Sequence, residues 1–297
     1  MAFSKVRRAE RRWGYVFISP IVAQFVLLTL IPVGIALYAS FTNWNILKSR
    51  RAFVGFGNFA QILTDPKFWT AAGNTLFMLL PIPFYLFFGL LFAIGCHRRT
   101  PGNKVFRLLF FLPYISSIVA LVAMWKWLFN YQYGLVNQLL KAVGIQGPNW
   151  LGDPHWIKIT IVIMITWKLI GFMSIYLLAA LNNIPDTYYE AAQIDGASAI
   201  RQFRSITLPL ITPTLFFLVV TGIIGSLQTF VEVQLFTTDG GRNYSAATIT
   251  YYLWQKAFTS NLMGYASAVA VLFGLMILAI TIFQLRMQRR WVFEGEQ

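Results

Sequence analysis

The stretch EAAQIDGASAIRQFRSITLP, residues 190–209, lies between two long apolar segments of the chain. It follows the pattern E-A-A-x3-G-x9-I-x-L-P, which fixes seven positions. At frequencies of roughly 5–10% for each residue type, a chance match is on the order of one in 10⁸ per starting position. Chance therefore does not account for this stretch, and the rest of the chain is interpreted around it.

Composition and the length of the apolar blocks indicate the class of protein. The chain has 297 residues, of which 57% are hydrophobic and 11% charged, whereas about 25% of the residues of a soluble domain are charged. The apolar residues come in blocks of about twenty or more, enough for a helix to cross a hydrocarbon core of about 30 Å. Only helices and closed barrels satisfy their backbone in lipid, and the alternation of a barrel strand is missing. The sequence therefore predicts an all-α, polytopic membrane protein.

We predict six transmembrane helices, of which Lys126 and Lys168 interrupt the third and the fourth. Their ranges are about 15–40, 71–96, 106–130, 156–181, 211–236 and 263–285. The predicted domains are a basic N-terminus (1–14), a six-span transmembrane domain (15–285) that includes the loop 182–210, and a tail (286–297). Outside the spans we expect a short helix near Phe59 and an amphipathic helix over 136–143 that ends at Gly144.

The distribution of lysine and arginine predicts the orientation in the membrane. Six spans put both termini on one side, and fourteen basic residues lie on that side against eight on the other. The positive-inside rule therefore predicts that both termini and the loop 182–210 are cytoplasmic. The net charge of +14 comes from cations that flank apolar spans, where they bind anionic lipid headgroups. They form no groove with interleaved aromatic residues, so nucleic acid is excluded as a partner.

The loop 182–210 predicts two short helices separated by a glycine. Pro185 and Asp186 are favoured at a helix start, the proline for its fixed φ and the aspartate for capping N–H groups. A first helix over 187–194 is expected to end near Gly196, and a second to run from about Ser198 to Pro209, which would clash with a further turn.

Small residues in this loop form a stripe at helical spacing. Ala192, Gly196 and Ala199 follow one another at intervals of four and three residues, and small side chains let another surface approach the backbone closely. The charged residues around the stripe could set the register of a partner through ion pairs. They are Glu190, Asp195, Arg201 and Arg204. The alternative is an ordinary connecting loop whose small residues only save space.

With these features the chain resembles the membrane-embedded permease subunits of binding-protein-dependent ABC importers, and in particular their carbohydrate-type branch. Further motifs of that branch are VGFGNF at 54–59, FLPY at 111–114, LFTTDGG at 235–241 and GYASA at 264–268. Asp239 and Arg242 depart from the usual T-G-G-G-P of the third motif. The resemblance implies a type I ABC importer permease fold, with the loop acting as a coupling helix in a cleft of a cytoplasmic ATPase subunit. The implied coupling residues are Glu190, Ala191, Ala192, Asp195, Gly196, Ala199, Ile206, Leu208 and Pro209.

The resemblance also implies partners and a location. The chain has no glycine-rich phosphate loop, so ATP and Mg²⁺ are expected on the partner ATPase, with no cofactor bound by this chain. The implied partners are a second homologous permease subunit, two cytoplasmic ATPase subunits, an extracytoplasmic solute-binding protein, membrane lipid and a saccharide substrate. The implied location is the bacterial cytoplasmic (inner) membrane.

Polar groups at membrane depth are candidates for the substrate pathway, because burying them there costs about 2.5–3.5 kcal/mol or more. The resemblance implies that the sugar site lies near these groups in the fourth and fifth spans. The candidates are Trp167, Lys168, Phe172, Ser226, Gln228, Thr229 and Glu232. Alternatively, they hydrogen-bond between helices. Lys168 and Glu232 differ by roughly 10 Å in predicted depth, so their pairing needs a tilted arrangement, and Lys126 is expected to snorkel to the interface.

Other function classes have less support in the sequence. An enzyme would need a catalytic or metal-binding constellation, but Glu190 has only Asp186 and Asp195 nearby, and His97 and His155 flank spans at opposite faces. We therefore predict neither catalytic residues nor a metal site. A secondary transporter or channel would need an ion-coupling set or a ring of pore-lining residues, and it would leave the loop 190–209 unexplained. The sequence favours an ATP-driven permease that moves a sugar or oligosaccharide by alternating access.

Overall fold

The computed structural model of the protein describes residues 2–48, 51–97 and 103–291. Within these ranges the only β-pairing is an isolated bridge between Thr42 and Phe53. The α-helices are α1 (Ala2–Phe25), α2 (Ile31–Ser40), α3 (Gly57–Thr64), α4 (Pro66–Phe77), α5 (Pro81–His97), α6 (Asn103–Ile115), α7 (Ile118–Leu128), α8 (Leu135–Ala142), α9 (Trp156–Asn182), α10 (Asp186–Ile194), α11 (Ala199–Gln202), α12 (Leu208–Leu227), α13 (Val231–Phe236), α14 (Ile249–Trp254) and α15 (Met263–Trp291). The predicted short helices near Phe59 and over 136–143 are α3 and α8.

Six segments of the described chain are candidates for crossing a membrane. Five are continuous, at Trp13–Ser40, Pro66–His97, Trp156–Asn182, Ala199–Leu227 and Met263–Gln288. The sixth is the bent pair formed by Val105–Ile115 and Ile118–Leu128. The prediction of an all-α membrane protein with six transmembrane helices is therefore confirmed.

The third span is broken in the middle. Its two halves, α6 and α7, are bent by 97°. Ser117 adopts φ −57° and ψ 127°, which is an extended conformation that ends the helical path. The hydroxyl of Ser116 donates to the carbonyl of Leu112 at 2.8 Å, and Pro113 removes a backbone donor one turn earlier. The predicted third span over 106–130 is therefore present as two helices with a sharp bend between them.

The fifth span begins earlier and ends earlier than predicted. The helix runs without interruption from Ala199 to Leu227, so Pro209 does not end it as expected. The chain makes a π-helical turn at Phe203–Thr207, where the N–H of Leu208 donates to the carbonyl five residues back. This wider turn makes room for the Pro209 ring, which would otherwise clash with the carbonyl four residues earlier. At the far end Phe230 leaves the helical region, with φ −133° and ψ −56°, and α13 starts as a separate helix.

The described residues within 2–65 and 253–274 form one compact unit. The segment that follows α2 is held in it by hydrogen bonds to the backbone. The side-chain amide of Asn58, in α3, donates to the carbonyls of Ser40 and Thr42 at 2.8 and 2.9 Å. The N–H of Gly264, in α15, donates to the carbonyl of Trp44 at 2.9 Å. The span Trp13–Ser40 is exposed along nearly all of its length, with Ala39 and Ser40 buried at its end.

The described residues within 66–252 and 275–291 form the second unit. Its core lies where α5 packs along α9. The buried core residues are Ile82, Tyr85, Ala93, Cys96, Met173, Leu177, Leu178, Leu181, Ile184, Ile211 and Leu218. Two glycines permit close approaches between helices. A Cβ at Gly171 of α9 would overlap the backbone carbonyl of Phe110 in α6, and one at Gly222 of α12 would overlap the hydroxyl of Tyr85.

Candidate functional site

The segment after the fourth span consists of two helices joined at a glycine, as predicted. Gly196 adopts φ +73°, and the N–H groups of Ala197 and Gly196 donate to the carbonyls of Ala192 and Gln193 at 2.8 and 3.0 Å. This pair of bonds is a Schellman motif, which needs the left-handed conformation that glycine adopts at least cost. The position of Gly196 is therefore explained by the way α10 ends.

The two helices of this segment, α10 and α11, are capped differently at their N-termini. Ser198 is the N-cap of α11, and its hydroxyl accepts from the N–H of Arg201 at 3.4 Å. Pro185 occupies the N-cap position of α10, with ψ 136°, and Asp186 is the first helical residue. No side-chain capping bond is made there, so the prediction that Asp186 caps the helix is wrong. Because Asp186 still lies in the first turn, its negative charge is stabilised by the positive end of the helix dipole.

The helix pair presents an open surface. Ile194 is 88% exposed and Ile200 is 69% exposed, so both helices leave a large apolar side chain uncovered. Of the predicted coupling residues, Glu190, Ala191, Asp195, Gly196, Ala199 and Leu208 are exposed, while Ala192, Ile206 and Pro209 are half-buried. The hydroxyls of Tyr189 and Thr207 are 2.9 Å apart and join α10 to the π-turn at the start of the fifth span.

A second candidate site is a cavity of about 310 Å³ between α9, α12, α13 and the end of α6. Six of the seven predicted pathway residues line it, namely Lys168, Phe172, Ser226, Gln228, Thr229 and Glu232. Trp167 is not among the described lining residues. It packs edge-on against Trp125, with ring centroids 5.5 Å apart.

Lys168 and Glu232 form an ion pair in this cavity. The Nζ of Lys168 lies 2.8 Å from Oε1 of Glu232, and the two side chains are 17% and 15% exposed. A fifth span that continued as one helix would carry Glu232 away from the depth of Lys168, because each residue adds 1.5 Å along the axis. The break before α13 removes that constraint. Lys168 and Glu232 therefore pair because the fifth span is broken before α13, and not because the spans are tilted as the sequence suggested.

Hydrogen bonds from other elements fix this break. The carbonyl of Thr229 accepts from the hydroxyls of Thr248 and Thr250 at 2.6 and 2.7 Å. At the other end of α13, the Nζ of Lys126 donates to the carbonyl of Leu235 at 2.9 Å. Its ammonium group thus lies at the C-terminal end of α13, where a cation is favoured; that Lys126 snorkels to the interface stays a prediction.

An aromatic face completes the cavity. The rings of Tyr114 and Phe172 stack at 4.2 Å with an interplanar angle of 19°, and Tyr176 packs edge-on against Phe172 at 4.9 Å. The remaining lining residues are Ile165, Leu169, Met173, Thr221, Gly222 and Gly225. The cavity therefore combines a stacked apolar surface with hydroxyl, amide and charged groups.

Comparison with known proteins decides the family. Residues 85–292 match the family model described as the binding-protein-dependent transport system inner membrane component. This chain belongs to that family. Its 57% apolar composition and its six spans are those of an inner-membrane, multi-pass component, and it is a permease subunit of an ABC importer.

Relatives of this permease match over nearly all of its length. It is 34% identical to the probable ABC transporter permease protein YesP of Bacillus subtilis, over 98% of this chain and 95% of the relative. It is also 34% identical to the lactose transport system permease protein LacF of Rhizobium radiobacter, over 91% and 92%. A solved structure of a bacterial alginate ABC transporter, in complex with an alginate pentasaccharide-bound periplasmic protein, superposes with a TM-score of 0.86 at 25% identity. It covers 98% of this permease and 99% of that chain. The fold is that of a type I ABC importer permease.

Some residues of the permease cavity escaped sequence reasoning. Tyr114 belongs to the FLPY motif, so a signal existed, but nothing in the sequence aims its ring at Phe172. Thr221, Gly222 and Gly225 precede Ser226 at helical spacing and share its face. Among the described residues there is no group of three or more His, Cys, Asp or Glu side chains that could hold a metal ion.

Proposed function

We propose that this permease translocates a sugar or oligosaccharide by alternating access. The observation that carries the proposal is the cavity, whose lining combines the stacked Tyr114 and Phe172 rings with hydroxyl, amide and charged groups. Aromatic faces pack on the apolar side of a sugar ring, while the polar groups meet its hydroxyls. The names of the relatives, which handle lactose and alginate, support the same class of substrate.

Energy for transport is supplied by ATP on separate subunits in this proposal. The open surface formed by α10 and α11 docks into a cytoplasmic ATPase subunit, with Gly196 at the turn and Glu190, Asp195 and Ala199 around it. Closure of two ATPase subunits on ATP and Mg²⁺ moves this helix pair. The π-turn at Phe203–Thr207 connects the pair directly to the fifth span, which supports a mechanical link between docking surface and cavity.

The proposed assembly contains a second homologous permease subunit, two ATPase subunits and an extracytoplasmic solute-binding protein. The six-span domain over 15–285 is the transport unit, with the basic 1–14 segment, the loop 182–210 and the tail 286–297 on the cytoplasmic side. The excess of lysine and arginine on the side of the termini supports this orientation. The periplasmic protein in the alginate transporter structure supports delivery of substrate by a binding protein.

The proposal is tested with the complete transporter, purified through a tag on this chain and reconstituted in proteoliposomes. Uptake is measured for lactose, maltose, cellobiose and trehalose, each paired with the uronate made by oxidising one primary hydroxyl. We expect an ATPase subunit to co-purify with this chain. We also expect at least one saccharide to accumulate, and only when ATP is supplied to the ATPase subunit. Purification without any ATPase, or accumulation driven by an ion gradient instead, would contradict the proposal.

A further inference from the structure

The charge of the cavity narrows the class of substrate, an inference that rests on the function proposed above. Among the described residues that line the cavity, Lys168 and Glu232 are the only charged side chains. Their 2.8 Å contact makes the site electrically neutral. We propose that this ion pair makes the cavity select an uncharged saccharide unit over an acidic one of the same size.

A neutral sugar can satisfy both members of the pair without separating them. The ammonium group has three donors and the carboxylate about four acceptor positions, so each keeps unused hydrogen-bonding capacity after the 2.8 Å contact. Adjacent sugar hydroxyls both donate and accept, so one ring can donate to Glu232 and accept from Lys168. The ring face then lies against the Tyr114–Phe172 stack, which lines the same cavity.

An acidic sugar, by contrast, interacts unfavourably with this ion pair. Its carboxylate would approach Glu232, which carries the same charge, while the charge of Lys168 is already compensated. Both side chains are less than a fifth exposed, at 17% and 15%, so water screens these interactions weakly. Freeing Lys168 to bind the substrate would leave Glu232 poorly solvated and without its counter-ion, which is costly.

Hydrogen bonds near both ends of α13 hold the helix that carries Glu232. Its helix, α13, is held at the start by the two threonine hydroxyls on the carbonyl of Thr229. It is held at the end by Lys126 on the carbonyl of Leu235. These contacts fix the backbone that carries Glu232 beside Lys168, so the ion pair, and with it the neutral state of the cavity, is preorganised.

The test compares uptake of each neutral saccharide with that of its uronate in the same reconstituted transporter, using the best-transported pair. In the wild-type protein we expect the neutral member to be taken up at least about tenfold faster, as for one unfavourable charge contact. The E232Q variant leaves Lys168 unpaired, and we expect it to shift the ratio toward the uronate by about tenfold or more. The K168M/E232Q double variant restores neutrality, and we expect the preference for the neutral sugar to return.

Control variants separate charge from structure. T221A changes an uncharged lining residue and leaves the ion pair and the contacts of α13 in place, so it should affect uptake of both sugars alike and leave their ratio unchanged. Faster uptake of the uronate by the wild-type protein, or a ratio that does not change in E232Q, would overturn the inference and leave saccharide transport standing. If no saccharide is taken up at all, the proposed function fails, and the inference fails with it.

Discussion

Gly171 shows how a single residue sets the approach of two helices. A Cβ at this position in α9 would overlap the backbone carbonyl of Phe110, which cannot move without shifting α6. We expect Gly171→Ala to destabilise the protein by about 1–3 kcal/mol, the usual cost of overpacking. The measurement is the midpoint of thermal unfolding in detergent.

The matched control for this variant is Gly95→Ala in the neighbouring α5, where an added Cβ has nothing within 4 Å. Alanine also has the better helix propensity, so the control should be as stable as the wild-type protein or slightly more stable. Equal unfolding midpoints for the two variants would show that α6 and α9 do not approach each other as described.

Gly196 is required for its backbone conformation rather than for tight packing. Its φ of +73° suits glycine, and no atom lies within 4 Å of an added Cβ. A left-handed conformation costs other residues about 1–2 kcal/mol, with asparagine least affected and β-branched residues most. If the helix pair couples ATP hydrolysis to transport, uptake should be reduced least in Gly196→Asn, more in Gly196→Ala and most in Gly196→Val. The amount of each variant in the membrane should not change. Normal uptake by Gly196→Val would rule out the coupling role.

At the scale of elements, α10 is tied to the fifth span through one hydroxyl pair. The hydrogen bond between Tyr189 and Thr207 is 2.9 Å long, and Thr207 is buried in the π-turn. We expect Tyr189→Phe and Thr207→Val each to lower ATP-driven uptake by a few-fold, which corresponds to about 1 kcal/mol for a lost hydrogen bond. The double variant should be no worse than the more impaired single variant. If the reduction in uptake of the double variant equals the product of the two single reductions, the two hydroxyls act independently.

The elements also differ in how far local sequence predicts them. The end of α10 at Gly196 and the start of α11 at Ser198 follow from residues within a few positions of each other, so both were predictable. The break at 228–230 was not, because its carbonyl is satisfied by Thr248 and Thr250, about twenty residues further along the chain. Asp186 shows the limit of capping rules, since a neighbouring proline takes the N-cap position.

At the scale of the whole molecule, the predicted orientation can be tested by cysteine labelling. The only cysteine of the chain, Cys96, is buried, so background labelling is expected to be low. Gln193→Cys and Gln146→Cys place a thiol at exposed positions on opposite predicted sides. From the distribution of basic residues, we expect a membrane-impermeant maleimide to label position 146 in intact spheroplasts and position 193 only after permeabilisation. The reverse pattern would invert the topology.

The sequence by itself determined the class of protein, the six apolar segments and the two-helix loop at 190–209. These depend on block length, on the charges beside each block and on turn residues that act over a few positions. Only the tertiary structure decided that the third and fifth spans are broken, and that Lys168, Glu232 and Tyr114 meet in one cavity. The physical reason is that an interrupted helix persists in lipid only where other elements satisfy its freed backbone groups. The threonines and the lysine that do so here lie far from the break in the chain.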